Sequence, residues 1–479
     1  MARIFYVLGM SLLVLAGFEL IPLTINYMLD SANWLAFAFS SFLTAFLGIS
    51  LLFAGNVPFR RVSLREAYLL TVLLWIVLPI FGALPFLFDL NSMTFTDAFF
   101  ESVSGVTTTG SSVINRLDLI APGLLLWRSL LQWLGGLLFV LMGIAILPTL
   151  RVGGMQLMQT EISDGSSKAL PRAITVGTSI VALYTMLTVL CMISYGLAGM
   201  SAFDAINHSM TTIATGGFST HDDSFAYFSS PAIPWLAVFF MLSGALPFII
   251  YLKALKRGPL LIIRNTQVIF LLKFCFLVVL LLTFWCWITT PANLIAAFSY
   301  SAFNAVSIIT TTGYVNTDYT LWGGASVVFL IITFAGGCSG STSGSIKIFR
   351  YQLVWSFLKS QLNRLVFPNG VFPVRYEGRE VSADIILSVT AFLGLYLLTW
   401  CLLSAFLSLG NLDFQTSVSA AATALTNVGP GLGELIGPMS NFSSLDAIDK
   451  WLLILGMLLG RLELFTFFAV VTPRFWRDL

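Results

Sequence analysis

The sequence predicts an all-α membrane protein: four tandem helix–pore helix/filter loop–helix repeats around one central pore, preceded by two extra transmembrane helices. Three observations lead there. Of 479 residues, 57% are hydrophobic and only 10% charged, less than half the roughly 25% charge of a soluble domain. Ten apolar runs reach the roughly 20 residues that a helix needs to cross hydrocarbon about 30 Å thick. A shorter apolar segment ending in a Thr/Gly-rich turn recurs four times, each copy between two of those runs. A soluble enzyme, a disordered chain and a disulfide scaffold are excluded by composition. Cys191, Cys275, Cys286, Cys338 and Cys401 are scattered, without a CxxC spacing, and read as small buried hydrophobes. His208 and His221 are the only histidines; both read as ordinary polar residues near the outer mouth.

The ten runs lie near 4–28, 33–55, 66–88, 123–149, 172–199, 231–253, 265–289, 322–350, 384–409 and 447–471. Arg3 ahead of the first run suits a signal peptide. Apolarity continues through Ile21-Pro22-Leu23 to Met28 without a cleavage site, however, so the run reads as an uncleaved span. Basic residues collect on one side: Arg60, Arg61 and Arg65; Arg151, Lys168 and Arg172; Lys253, Lys256, Arg257 and Arg264; Lys359, Arg364, Arg375 and Arg379. The opposite loops carry Asp30, Asp89, Asp118, Asp222, Asp223, Asp318, Glu434, Asp446 and Asp449, against Arg116 and Lys450. The positive-inside rule then makes both termini cytoplasmic, and the acidic outer face concentrates cations.

The short segment runs from Asp97 to Val106 and into Thr107-Thr108-Thr109-Gly110. Ten to twelve residues make a helix of roughly 15–18 Å, half a bilayer. Asp204 to Ile213 leads likewise into Ala214-Thr215-Gly216-Gly217, Ser301 to Thr310 into Thr311-Thr312-Gly313, and Gln415 to Thr426 into Asn427-Val428-Gly429. Aligning Gly110, Gly216, Gly313 and Gly429 gives spacings of 106, 97 and 116 residues, with Glu101, Asn207 and Asn304 each nine positions earlier. The repeats then divide the chain into 1–60 (two leading helices), 61–160, 161–258, 259–365 and 366–479. Extended backbone at membrane depth is tolerated only where it is buried or lines a wet cavity. Glycine lets its carbonyls turn to one axis, a half-helix aims its negative C-terminal end there, and four such loops make a ring of oxygens that can replace a hydration shell. The expected filter is Thr108, Thr109 and Gly110; Ala214, Thr215 and Gly216; Thr311, Thr312 and Gly313; and Asn427, Val428 and Gly429.

The eighth run is apolar from Val327 to Phe334 and then meets Ala335 to Lys347, with four glycines and four serines, poor helix material. It reads either as a pore-facing loop or as a small-residue packing face, since Gly336, Gly340 and Gly344 fall at i, i+4 and i+8. Arg461, several turns inside the last run, is a costly intramembrane charge. Lys347 is a second such charge or snorkels to the inner surface. Glu463 cannot face Arg461 on one helix, and Glu19 and Lys273 read as snorkelled or internally paired.

The four loops, with Leu126-Trp127-Arg128-Ser129-Leu130-Leu131-Gln132-Trp133-Leu134-Gly135-Gly136 and Gly153-Gly154-Met155-Gln156-Leu157, resemble the Trk/Ktr/HKT potassium-transporter superfamily, above all its bacterial TrkH/TrkG branch. The likeness covers essentially the whole chain, Gly460-Arg461-Leu462-Glu463-Leu464-Phe465-Thr466 included. It implies K⁺ uptake across the bacterial inner membrane through a K⁺-selective channel-like pore, with K⁺ bound in the filter and no organic cofactor in this chain. It implies a homodimer in the lipid bilayer, a cytoplasmic TrkA-type nucleotide-binding regulatory subunit, and no nucleic-acid partner. It also implies an intramembrane gate of Gly336, Gly337, Ser339, Gly340, Ser341, Thr342, Ser343, Gly344, Lys347 and Arg461. Glycine in all four loops is the pattern the family associates with K⁺ selectivity, whereas Ala214 and Asn427-Val428 depart from the threonines of the other loops. An ion-coupled (Na⁺ or H⁺) symporter is the alternative; that class shows paired broken spans in inverted halves, and one break is legible here. No nucleophile–base pair suited to an enzyme lies in the spans. Neither GxGxxG nor a P-loop occurs, so nucleotide control must come from a partner.

Overall fold

The computed structural model describes residues 2–29, 33–55, 63–89, 93–145, 153–154, 169–410 and 412–476. Asp30, Arg60, Arg61, Arg151, Met155, Gln156, Leu157 and Lys168 lie outside the described residues, as do the expected boundaries at 60/61 and 160/161.

Unbroken apolarity makes α1 (Ala2–Met28) and α2 (Trp34–Ala54). They press together where side chains are smallest: a Cβ on Gly9 would stand 2.7 Å from Gly48 O. Glu19, buried in this pair, accepts a hydrogen bond from Thr44 Oγ1 (3.4 Å). The first repeat is α3 (Leu64–Gly82), α4 (Leu84–Asp89), the half-helix α5 (Phe95–Val106) and α6 (Pro122–Ala145). The second is α7 (Ala169–Leu197), the half-helix α8 (Ala202–Ile213), α9 (Ala232–Ala245) and α10 (Phe248–Arg257). After α11 (Leu260–Arg264), the third is α12 (Thr266–Thr289), the half-helix α13 (Leu294–Ile309), α14 (Ala325–Thr333) and α15 (Ile348–Val366). A two-residue hairpin, β1 (Arg375–Tyr376) with β2 (Arg379–Glu380), precedes the fourth: α16 (Ala383–Leu409), the half-helix α17 (Phe414–Thr426), α18 (Ala447–Arg461) and α19 (Phe465–Val471); α20 (Pro473–Trp476) follows.

All four half-helices begin on a side-chain cap. Thr94, Ser201, Asn293 and Asp413 accept from Asp97 N, Asp204 N, Ala296 N and Thr416 N, each worth about 1 kcal/mol. The half-helices form the centre of the molecule: Ala98–Val106, Ser301–Ile309 and Ser419–Thr426 are buried without interruption. The flanking helices turn Phe276, Leu277, Phe284, Leu397 and Leu398 outward, a surface suited to lipid rather than water.

Among the described residues, seven runs are long and apolar enough to span a membrane without a sharp bend, Leu64–Phe88 counted as one. Where the sequence shows one broken span, the described residues contain three, each in the second spanning segment of its repeat. The chain bends by 92° between α9 and α10, where Pro247 withholds an N–H. Between α18 and α19 it bends by 108°, at Glu463 with φ +52°. The third break, between α14 and α15, leaves residues 334–347 without helix. Gly336, Gly340 and Gly344 therefore share no helix face, and the packing-stripe reading is set aside.

Candidate ion-conducting site

The half-helices deliver four loops of one conformation. After the last turn, Thr109 N donates to Ser104 O, Gly216 N to Thr211 O, Thr312 N to Ser307 O and Val428 N to Thr423 O, at 2.8–3.1 Å. The preceding residues, Thr108, Thr215, Thr311 and Asn427, all have positive φ, 49–59°. Such backbone is strained for threonine and collects at functional sites. Two residues further on, the left-handed position is held by Gly110, Gly217, Gly313 and Gly429. This corrects the expected alignment: Gly217, not Gly216, matches Gly110. The second filter segment is Thr215-Gly216-Gly217, and Ala214 matches Thr107 and Thr310 at the helix end. Adjacent glycines made the slip invisible in the sequence, since hydropathy is unchanged by it.

The four loops close a ring. A Cβ on Gly110 would overlap Gly216 O, on Gly217 Thr312 O, and on Gly313 Val428 O; one on Gly429 would lie 2.8 Å from Thr109 O. Each loop's glycine thus backs onto the middle carbonyl of the next loop, and the fourth onto the first. The same four glycines line one outer cavity of about 540 Å³.

Each loop is fastened to its own half-helix on the outer side. Glu101 accepts from Val113 N (2.9 Å), His208 Nε2 lies 3.0 Å from Ser219 Oγ, Asn304 Nδ2 donates to Asn316 Oδ1 (2.7 Å), and Ser419 Oγ donates to Leu432 O (2.8 Å). In the corrected register His208, rather than Asn207, is the partner of Glu101 and Asn304. Arg128 reinforces this rim. Its Nε donates to Glu101 Oε1 (2.7 Å), Nη1 to Ser219 O (2.9 Å) and Nη2 to Ser112 Oγ (3.1 Å), with its guanidinium over Phe218. His221 stacks on Tyr227 and lies 2.5 Å from Asp118 Oδ1. In the same cavity wall, burial raises the Asp222 carboxyl above its ordinary value, with Asp118 and Asp223 acting in the same direction.

On the other side the loop of residues 334–347 crosses under the ring. Thr342 Oγ1 donates to Ile213 O (3.1 Å) and Gly244 O (3.0 Å), Ser343 Oγ to Thr310 O (2.7 Å), and Gly344 N to Thr311 Oγ1 (2.7 Å); a Cβ on Gly344 would stand 2.6 Å from Thr426 O. Arg461 supplies the contact to the first repeat: Nε donates to Thr107 O (2.5 Å), Nη1 to Thr342 O (3.0 Å), and Nη2 to Thr108 Oγ1. Lys347 does not snorkel. It is 2% exposed, its Nζ donates to Ser343 O (2.6 Å), and it shares the Phe139 ring with Arg461.

The remaining loop residues anchor the crossing. Ser339 N donates to Gln267 Oε1 (2.9 Å), Phe248 N to Gly340 O (3.0 Å), Ser341 Oγ to Cys338 O (2.6 Å) and Ile348 N to Gly337 O (3.2 Å). A Cβ on Gly336 would stand 2.8 Å from Gly344 O, so the two limbs of the loop touch.

Sequence reasoning quoted Arg128 and Gln132 only within the family-like segment, gave neither a role, and did not single out Arg350. Gln132 Nε2 donates to Gly216 O (2.6 Å) and its Oε1 accepts from Phe218 N (3.0 Å). Arg350 Nη2 pairs with Glu463 (2.5 Å), its Nε donates to Gly153 O (3.1 Å), and its guanidinium lies over Phe392. Arg128 and Gln132 stand four apart in an otherwise apolar run. That signal was available, because polar residues inside a span are usually functional.

Comparison with known proteins accounts for this arrangement. Residues 33–475 match the profile of TrkH, described as a cation transport protein. The chain is 44% identical to the Trk system potassium uptake protein TrkI of Halomonas elongata, covering all of this chain and 97% of that one. It is 35% identical to the TrkH of Escherichia coli K12, over 98% of each. The crystal structure of the potassium transporter TrkH from Vibrio parahaemolyticus superimposes with a TM-score of 0.91 at 33% identity, over 99% of both chains. These relatives are named as transport proteins, not enzymes. The chain with the four-loop ring belongs to the TrkH family of cation transport proteins.

Proposed function

We propose that this chain is the pore-forming subunit of a bacterial K⁺ uptake system and conducts K⁺ through the four-loop ring. The cyclic packing of each glycine on the next loop's carbonyl carries the reading. It concentrates four strained, carbonyl-rich segments at the ends of four half-helices whose C-termini favour a cation, the arrangement that substitutes protein oxygens for an ion's hydration shell. The names of the relatives supply the ion. Filter residues are Thr108, Thr109 and Gly110; Thr215, Gly216 and Gly217; Thr311, Thr312 and Gly313; and Asn427, Val428 and Gly429.

The loop of residues 334–347 is the gate. Its Ser343 hydroxyl occupies Thr310 O, and Arg461, which also donates to the loop at Thr342 O, occupies Thr107 O, oxygens that a departing cation needs. A K⁺ about 5 Å from Arg461 meets a barrier of about 3 kcal/mol at an effective dielectric near 20. Conduction requires the loop to withdraw, and a cytoplasmic TrkA-type nucleotide-binding subunit is the regulator that moves it. The chain works as a homodimer in the inner membrane, both termini cytoplasmic. Its division into two leading helices and four pore repeats, at 1–60, 61–160, 161–258, 259–365 and 366–479, follows the same reading.

Breaks confined to the second spanning segments of successive repeats favour conduction over ion-coupled symport, which needs inverted halves. Rb⁺ uptake into liposomes holding only this chain, run against competing K⁺, Na⁺ and Li⁺, tests the proposal. Uptake driven by the Rb⁺ gradient alone and blocked by K⁺ is expected. Flux that vanishes without a Na⁺ or H⁺ gradient would replace the channel with a symporter.

A further inference from the structure

Two of the four loops, the second and the fourth, lack a threonine pair that the other two carry, and in the second the gap is filled from outside the loop. In repeats one and three the residue after the helix and the middle residue of the filter are both threonine. Their hydroxyls bond each other, Thr107 to Thr109 and Thr310 to Thr312, at 2.8 Å in both cases. In repeat two the matching positions are Ala214 and Gly216, so no such pair exists. A Cβ on Gly216 would overlap the Cδ and Oε1 of Gln132: the space that a side chain fills elsewhere is filled here by a carboxamide from α6. Gln132 is fully buried. Its two ends straddle the filter segment, donating to Gly216 O and accepting from Phe218 N. Only one orientation of the amide satisfies both contacts, so the group is held in register with the loop. Gly216 O is also the carbonyl against which Gly110 of the first loop packs.

We infer that Gln132 is a positioning residue that sets ion discrimination, its carboxamide bracing the second filter loop where threonine pairs brace the first and third. The inference rests on the reading of these loops as a K⁺ filter. A buried carbonyl held by one short hydrogen bond from behind keeps its place when a smaller ion would draw the loop inward. Loss of that bond lets the seat contract, and Na⁺ gains relative to K⁺.

The test is the K⁺/Na⁺ permeability ratio from Rb⁺- and Na⁺-driven flux in liposomes, with the unfolding temperature in detergent measured alongside. Gln132→Met keeps the volume and removes both contacts; the ratio is expected to fall about tenfold, the scale of one or two lost hydrogen bonds. Grafting the first repeat's solution, Gln132→Ala with Ala214→Thr and Gly216→Thr, should recover most of the discrimination that Gln132→Ala alone loses. A wild-type ratio retained by Gln132→Met overturns the inference, as does a graft no better than Gln132→Ala. Wild-type protein that passes Na⁺ as well as Rb⁺ refutes the filter reading itself, a result distinct from these.

Discussion

The two faces of the ring are held by opposite means. On the outer face, each loop is tied to its own half-helix by a side chain of that helix (Glu101, His208, Asn304, Ser419), and Arg128 joins the first two loops. On the opposite face, one loop of the third repeat and one arginine of the fourth reach beneath the ring. Ties within a repeat can be permanent, because conduction never asks them to break. On the proposed reading, contacts beneath the ring occupy the ion's exit and must be exchangeable. Rigidity and switching are thus separated by face.

Four experiments press on that contrast, taken from the largest expected effect. Arg128→Ala strands the Glu101 carboxylate, which is fully buried, and breaking a buried pair costs about 3–5 kcal/mol. The unfolding temperature in detergent should drop accordingly; an unchanged value would make the outer rim less fixed than described. Arg461→Ala removes the barrier of about 3 kcal/mol estimated above, so Rb⁺ flux should rise, at the limit about a hundredfold. Lower flux from folded protein would deny the inner face its blocking role. Gly313→Ser drives a Cβ into Val428 O at φ +83°. Overpacking costs about 1–3 kcal/mol, and a share of it falling unequally on the two ions should cut K⁺/Na⁺ discrimination about tenfold; an intact ratio would argue against a closed ring. Ser343→Ala deletes one bond to Thr310 O, worth about 1 kcal/mol. A rise of a few-fold in flux is expected, and unchanged flux would mean that this bond is not part of the closure.

Spans, half-helices and the position of the interrupting loop were legible because they are written in local hydropathy and in glycine and serine content. The register of the second loop was not. Gly216 and Gly217 are neighbours, as are Asn207 and His208, so both alignments satisfied the same pattern, and only backbone angles separate them. Charge partners were also out of reach. Arg128 finds Glu101 at a separation of 27 residues, and Arg350 finds Glu463 at 113. Helical spacing alone correctly denied Glu463 to Arg461 yet could not name the residue it meets. The bend after α18 was hidden for the same reason: no proline or glycine run announces it, and Glu463 is turned toward Arg350 by tertiary contact.

Because the four seats of the ring belong to one polypeptide, a single codon change alters one quarter of the proposed coordination shell. In an assembly of four identical chains the same change would strike every seat at once. Repeat two, with alanine and glycine where its neighbours carry threonine and an amide from α6 in the space, shows that one seat can differ while the ring still closes. Ion preference in this architecture can therefore be graded in small steps, one seat at a time.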